Sequence, residues 1–164
     1  MPIFDDGPPD GEADPRALLL GYLDWYRAAL LRKVDGLPDD LMRAPVEPLG
    51  WSPAGLVSHL TGVERRWLRW GFGAEDVVSW ADDEWTPAAS TADVLAGYRA
   101  EVDRCRAAVD GVPLDRRAKA GGRFPDPDAT PSLGRILFHL LQEYARHVGH
   151  LDIVRELLDG STGE

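Results

Sequence analysis

The sequence predicts an all-α protein, a four-helix bundle. Three observations carry this. Four long segments repeat apolar residues at helical spacing, each opens on a capping residue, and no run alternates apolar and polar residues as a half-buried strand would. At 164 residues the chain suits one domain and is long enough to bury a core without disulfides.

Residues 1–13 mix prolines and glycines with acids and read as a flexible acidic tail, leaving 14–160 as the single domain. Asp14-Pro15 is a cap followed by proline at the first helical position. Leu19, Leu23, Tyr26, Leu30 and Val34 then recur on one face until Gly36-Leu37-Pro38 ends the helix. A short helical piece follows from Asp39 to Arg43, then a loop to Gly50. Ser52-Pro53 opens a second helix running to about Trp70, with Leu56, Leu60, Val63 and Trp67 on its apolar face. Residues 71–89 form a loop rich in Asp, Glu and Trp. Ser90-Thr91-Ala92-Asp93 carries a capping pattern and starts the third helix, striped by Leu95, Tyr98, Val102, Cys105 and Val109 and ended by Gly111-Val112-Pro113. Residues 114–130, with Gly121-Gly122 and the Pro125–Asp128 run, read as a long exposed loop, a class that often serves function. Ser132 caps the fourth helix, which reaches about Leu158 and stops at Gly160.

Composition excludes several functions. A formal net charge of -10 argues against an electrostatic grip on nucleic acid or anionic lipid. No stretch approaches the roughly 20 apolar residues of a membrane span, and the acidic N-terminus lacks the apolar segment of a signal peptide. The single cysteine, Cys105, excludes an internal disulfide and a cysteine-built zinc site, and fits a reducing cytoplasm. Arg104 and Arg106 flank it. Nucleophilic thiols need a specific base partner, so the favoured reading is an inert cysteine, half-buried or on the helix surface. Only Lys33 and Lys119 are lysines; arginine dominance, with abundant Ala, Gly, Asp and Pro, suggests a GC-rich genome.

The fourth helix carries the chemistry. His139, Glu143 and His147 are spaced four apart, so they share one stripe, with His150 near it. Neighbours at i, i+4 can share a cation. His139 and His147 are about 12 Å apart along the axis, too far to join in one site. One helix therefore supplies Glu143 with His139 or with His147. A zinc site needs a further ligand. His59 lies on the second helix among Gly55, Leu56, Leu60 and Val63, where a bundle can bring it opposite the Glu143 stripe. The competing reading is a hydrogen-bonded core histidine and a surface Glu/His pair.

The pieces GYLDWYRAALLRKVDGL, GWSPAGLVSHLTGVERRW and FHLLQEYARHVGHLDIVRELLDG resemble the DinB-like superfamily (DinB/YfiT type), in its actinobacterial mycothiol-dependent branch, from about Asp14 to Gly160. The resemblance implies a metal-binding four-helix bundle whose ligands, often three histidines, come from the second and last helices. On this chain they fall on His59, Glu143 and His147. Glu143 departs from the all-histidine pattern but is similar to the His/Glu/His set of mycothiol-dependent maleylpyruvate isomerase. His139, one turn before Glu143, is then a supporting group, a proton carrier or a packed polar residue. His150 stands where many relatives carry glutamine and is assigned no ligand role.

The resemblance implies a zinc-dependent S-transferase, in which a metal-bound thiol such as mycothiol becomes a thiolate and attacks an electrophile. A metal-water hydrolase and a non-enzymatic metal- or ligand-binding stress protein are the alternatives. The expected partners are a small thiol and an electrophile, with no nucleic acid and no membrane; the expected setting is cytoplasmic, and a homodimer is compatible with the resemblance. Arg65, Arg66, Arg69 and Arg146 could bind a carboxylate, although charged runs on helices usually face water, the favoured reading here. Trp51, Trp67, Trp70, Trp80 and Trp85 could line a pocket or partner surface, with packing the commoner role.

Overall fold

The computed structural model describes residues 7–78 and 83–162; Trp80 and the first six residues of the expected tail lie outside them. The fold is all-α. Four long helices, α1 (Pro15–Val34), α3 (Pro53–Glu64), α4 (Thr91–Val109) and α5 (Leu133–Asp159), form the bundle, with the short α2 (Asp39–Arg43) between the first two. The four expected capping residues accept backbone N–H bonds as their sequence positions require. Asp14 accepts from Ala17, Ser52 from Gly55, Ser90 from Asp93 and Ser132 from Arg135, at 2.8, 3.1, 3.2 and 3.3 Å. Each such cap contributes about 1 kcal/mol. At the far end of α5, Gly160 takes the left-handed conformation (φ 74°) that releases the chain from the helix.

α1 packs mainly on α5 and α3 mainly on α4, while α3 also meets α5. The apolar stripes meet in one core that includes Leu23, Leu30, Leu56, Leu60, Leu137, Leu140 and Leu151. A polar network crosses this core and takes one residue from each long helix. Arg27 of α1 grips Glu64 of α3 through Nε and Nη2 at 2.7 and 2.8 Å. Tyr144 of α5 donates to the same carboxylate at 2.8 Å, and its hydroxyl pairs with that of Tyr98 of α4 at 2.8 Å. All four are buried, so every polar atom engaged here would cost free energy if left alone.

The second helix departs from expectation after Glu64. It continues over Arg65–Phe72 as a π-helix, seen in the five-residue bond from Gly73 N–H to Leu68 C=O at 3.0 Å. The segment turns Leu68 into the core and buries Arg66 against Glu84. Arg65 and Arg69 both reach Glu101 of α4, at 3.2 and 3.1 Å. The arginine run is therefore not the solvated face read from sequence: its charges are spent on internal ion pairs. Residues 114–130 are likewise tied down rather than free. Lys119 N–H bonds Phe72 C=O at 3.0 Å, Ala118 N–H bonds Pro131 C=O at 2.8 Å, and Gly121 pairs with Phe124. A Cβ at Gly122 would stand 2.3 Å from the Trp70 carbonyl, and its φ is +52°, so glycine is what lets this loop close on the π-helix. Among the described residues, no helix is long and apolar enough to cross a membrane.

Candidate metal centre

α3 and α5 face one another where α3 carries His59 and α5 carries Glu143 and His147. One donor atom from each of the three lies within 4.8 Å of the other two. The rings of His59 and His147 meet edge-on with centroids 4.7 Å apart. Glu143 stands between two histidines, with Oε1 3.2 Å from His139 Nε2 and Oε2 3.3 Å from His147 Nε2. The stripe is thus as the spacing predicts, and His59 joins it at the His147 end. His139 stays outside the triad, its ring 4.1 Å from that of Trp67. His150 is exposed, and its ring meets that of His147 edge-on with centroids 5.5 Å apart.

The electrostatics favour neutral imidazoles. Burial, and then the nearby His59, push the His147 pKa down to about 4. Burial also lowers that of His139, against the pull of Glu143. A neutral imidazole keeps the lone pair that a metal needs. Among the described residues, Nδ1 of His147 is buried without a hydrogen-bond partner, which is unusual for a ring nitrogen unless something else is meant to meet the ring. Two imidazoles and one carboxylate make an oxygen and nitrogen donor set that suits a divalent transition-metal ion.

Sequence reasoning missed Glu84. This carboxylate lies in the loop before α4, is buried, and places Oε1 2.6 Å from His59 Nδ1. Arg66 holds Glu84 from the other side, one contact being Nη2 to Oε1 at 3.2 Å. An imidazole whose Nδ1–H is given to a carboxylate presents Nε2 as its free donor, the usual outer support of a histidine ligand. Trp85 stacks on His59 at 4.3 Å and 17°. Two glycines of α3 allow this close approach. A Cβ at Gly55 would lie 2.2 Å from the Trp85 carbonyl oxygen, and one at Gly62 would lie 2.5 Å from Glu84 Oε2. The signal was present as Gly55 and Gly62 bracketing His59, but it does not say which acid of the following loop returns. Arg123 was also missed; its guanidinium lies 4.2 Å above Trp67.

Cys105 is fully buried, more so than the sequence suggested, and burial together with Glu64 and Glu101 raises its pKa far above the ordinary thiol range. It is no nucleophile.

These features define a helical bundle with a His/Glu/His group, drawn from facing helices, that could hold a metal ion. The particular family follows from sequence: the family model described as Mycothiol-S-transferase matches residues 18–160, and the chain belongs to that family. No curated protein matches the chain.

Proposed function

We propose that this chain is a zinc-dependent S-transferase that uses a small thiol, mycothiol or a close equivalent, with His59, Glu143 and His147 as metal ligands. The observation that carries the reading is the convergence of these three donors within 4.8 Å, in a chain whose residues 18–160 match the family. Residues 14–160 form the working domain, and a reducing cytoplasm is the setting a free thiol requires.

A divalent cation held by His59, Glu143 and His147 would keep about one unit of positive charge and would lower the pKa of a thiol bound to it. The chain's own residues prepare that event. Glu84 and Trp85 hold the His59 ring from its edge and its face. His139 steadies Glu143 through Nε2, and its Nδ1 takes the proton that the thiol gives up. Burial keeps His139 neutral and able to accept it.

Elemental analysis of the purified protein, followed by thiol-dependent loss of a model electrophile, tests the reading. Zinc near one equivalent and activity that needs both metal and thiol are expected. A His59→Ala variant that keeps full metal content would overturn the ligand set. Metal-loaded protein that consumes no electrophile with mycothiol would overturn the transferase.

A further inference from the structure

The charge around the site runs against the charge of the chain. The protein carries a formal net charge of -10, yet the side chains whose positive charge bears on His139 are Arg135, Arg123 and Arg146. Among the described residues, none of these three forms an ion pair. Their neighbours on the π-helix do: Arg65 and Arg69 with Glu101, and Arg66 with Glu84.

Arg123 is the most constrained of the three. Its side chain makes no hydrogen bond among the described residues, sets its Cζ 4.2 Å from the centre of the Trp67 ring, and is half-buried, while Arg135 and Arg146 are exposed. Trp67 in turn touches His139 at 4.1 Å and Phe124 at 6.1 Å. The backbone beneath it is held by the Gly122 contact with Trp70 and by the Gly121–Phe124 pairing. A guanidinium fixed in this way offers its planar fork to a ligand at little further cost in side-chain entropy. Burial and the nearby Arg66 both disfavour its charge, a penalty that an incoming anion would relieve.

We propose that the electrophile used at this centre bears a carboxylate, and that Arg123 is the residue that reads it, with Arg135 and Arg146 drawing the anion in. The carboxylate of the substrate meets the Arg123 fork in a bidentate pair. This rests on the transferase reading above, and names the substrate class for it.

The probes are 4-chloro-3-nitrobenzoate and its neutral carboxamide, which differ only in charge at one end. Binding to the metal-free protein is followed by NMR titration, so that no carboxylate–zinc contact contributes. The acid is expected to bind about tenfold more tightly than the amide. Arg123→Gln should bring that ratio close to one. Arg123→Lys should keep part of it, since the charge stays and the fork is lost. Arg99→Gln, which removes one exposed positive charge from α4, should leave it unchanged. A wild-type ratio near one, or a ratio that survives in Arg123→Gln, overturns the inference.

Transfer is then measured on zinc-loaded protein with mycothiol. The thiolate sulfur bonds to the chlorine-bearing ring carbon, the carbon–chlorine bond breaks, chloride leaves with the electron pair, and the thiol proton passes to His139 and from there to the buffer. Preference for the acid in kcat/KM that vanishes in Arg123→Gln supports the inference. Transfer of both probes alike sinks the anion preference and leaves the transferase standing. Arg123-dependent binding without any transfer sinks the transferase and leaves an anion site.

Discussion

Glu84 Oε1 stands 2.6 Å from Nδ1 of His59, so a residue of an irregular loop decides which nitrogen of an α3 histidine faces α5. Glu84→Gln keeps the shape and removes the charge. Metal affinity should fall about 10–100-fold, as for other carboxylates that support histidine ligands. Competition with a chromophoric chelator measures it, on samples whose circular dichroism shows an intact fold. Gly62→Ala should weaken the site in the same direction, because the new methyl would lie 2.5 Å from Glu84 Oε2. Unchanged affinity in both variants would mean that His59 needs no such partner.

The core network predicts large and unequal losses of stability. Glu64→Gln takes away the buried partner of Arg27 and leaves it only the part-exposed Asp24 at 2.7 Å, for a loss of about 3 kcal/mol. Tyr144→Phe removes one donor from Glu64 and should cost about 1–3 kcal/mol. Urea unfolding with a shared slope checks both values. Equal losses would mean that the hydroxyl matters as much as the ion pair.

Acid should destabilise the metal-free protein before its carboxylates are neutralised. His147 titrates at about 4 in the folded chain, while an unfolded histidine titrates near about 6.5. Between these values the unfolded chain binds a proton that the folded chain refuses, so stability is full above the upper value and declines as pH falls through the window. The depressed pKa of His139 acts in the same sense. Urea midpoints from pH 7 to 4 should fall for the wild type and fall less for His147→Gln. Parallel profiles would place the effect elsewhere.

Cys105 should be silent towards thiol reagents in the native state. It is fully buried and its thiol is held protonated, chiefly by burial. Reaction with a disulfide reagent should be slow in buffer and rapid in urea, with the rate following the unfolded fraction. Fast modification of the native protein would contradict the packing of α4.

Caps and stripes made the helices legible, because each follows from local rules: Asp14, Ser52, Ser90 and Ser132 all cap where their residue types suggest. The Glu143–His147 neighbourhood was equally plain, since spacing along a helix is a local property. The π-helix was not, because it depends on where Arg66 and Leu68 find partners, and Glu84 lies 18 residues from Arg66 along the chain. Arg123 escaped notice for the same reason: one arginine in a polar loop carries no periodic signal, and only the closure of that loop sets it on Trp67.

The Arg27–Glu64–Tyr144–Tyr98 cluster also bears on how finely the centre is aligned. Tyr144 follows Glu143 directly, and Glu64 lies five residues after His59. Sliding α3 past α5 by a single turn would tear the tyrosine from the carboxylate and strand both in oil. The bundle therefore has one gear setting, and the imidazole and carboxylate on either side of the cleft are meshed by teeth that lie deeper in the protein than they do.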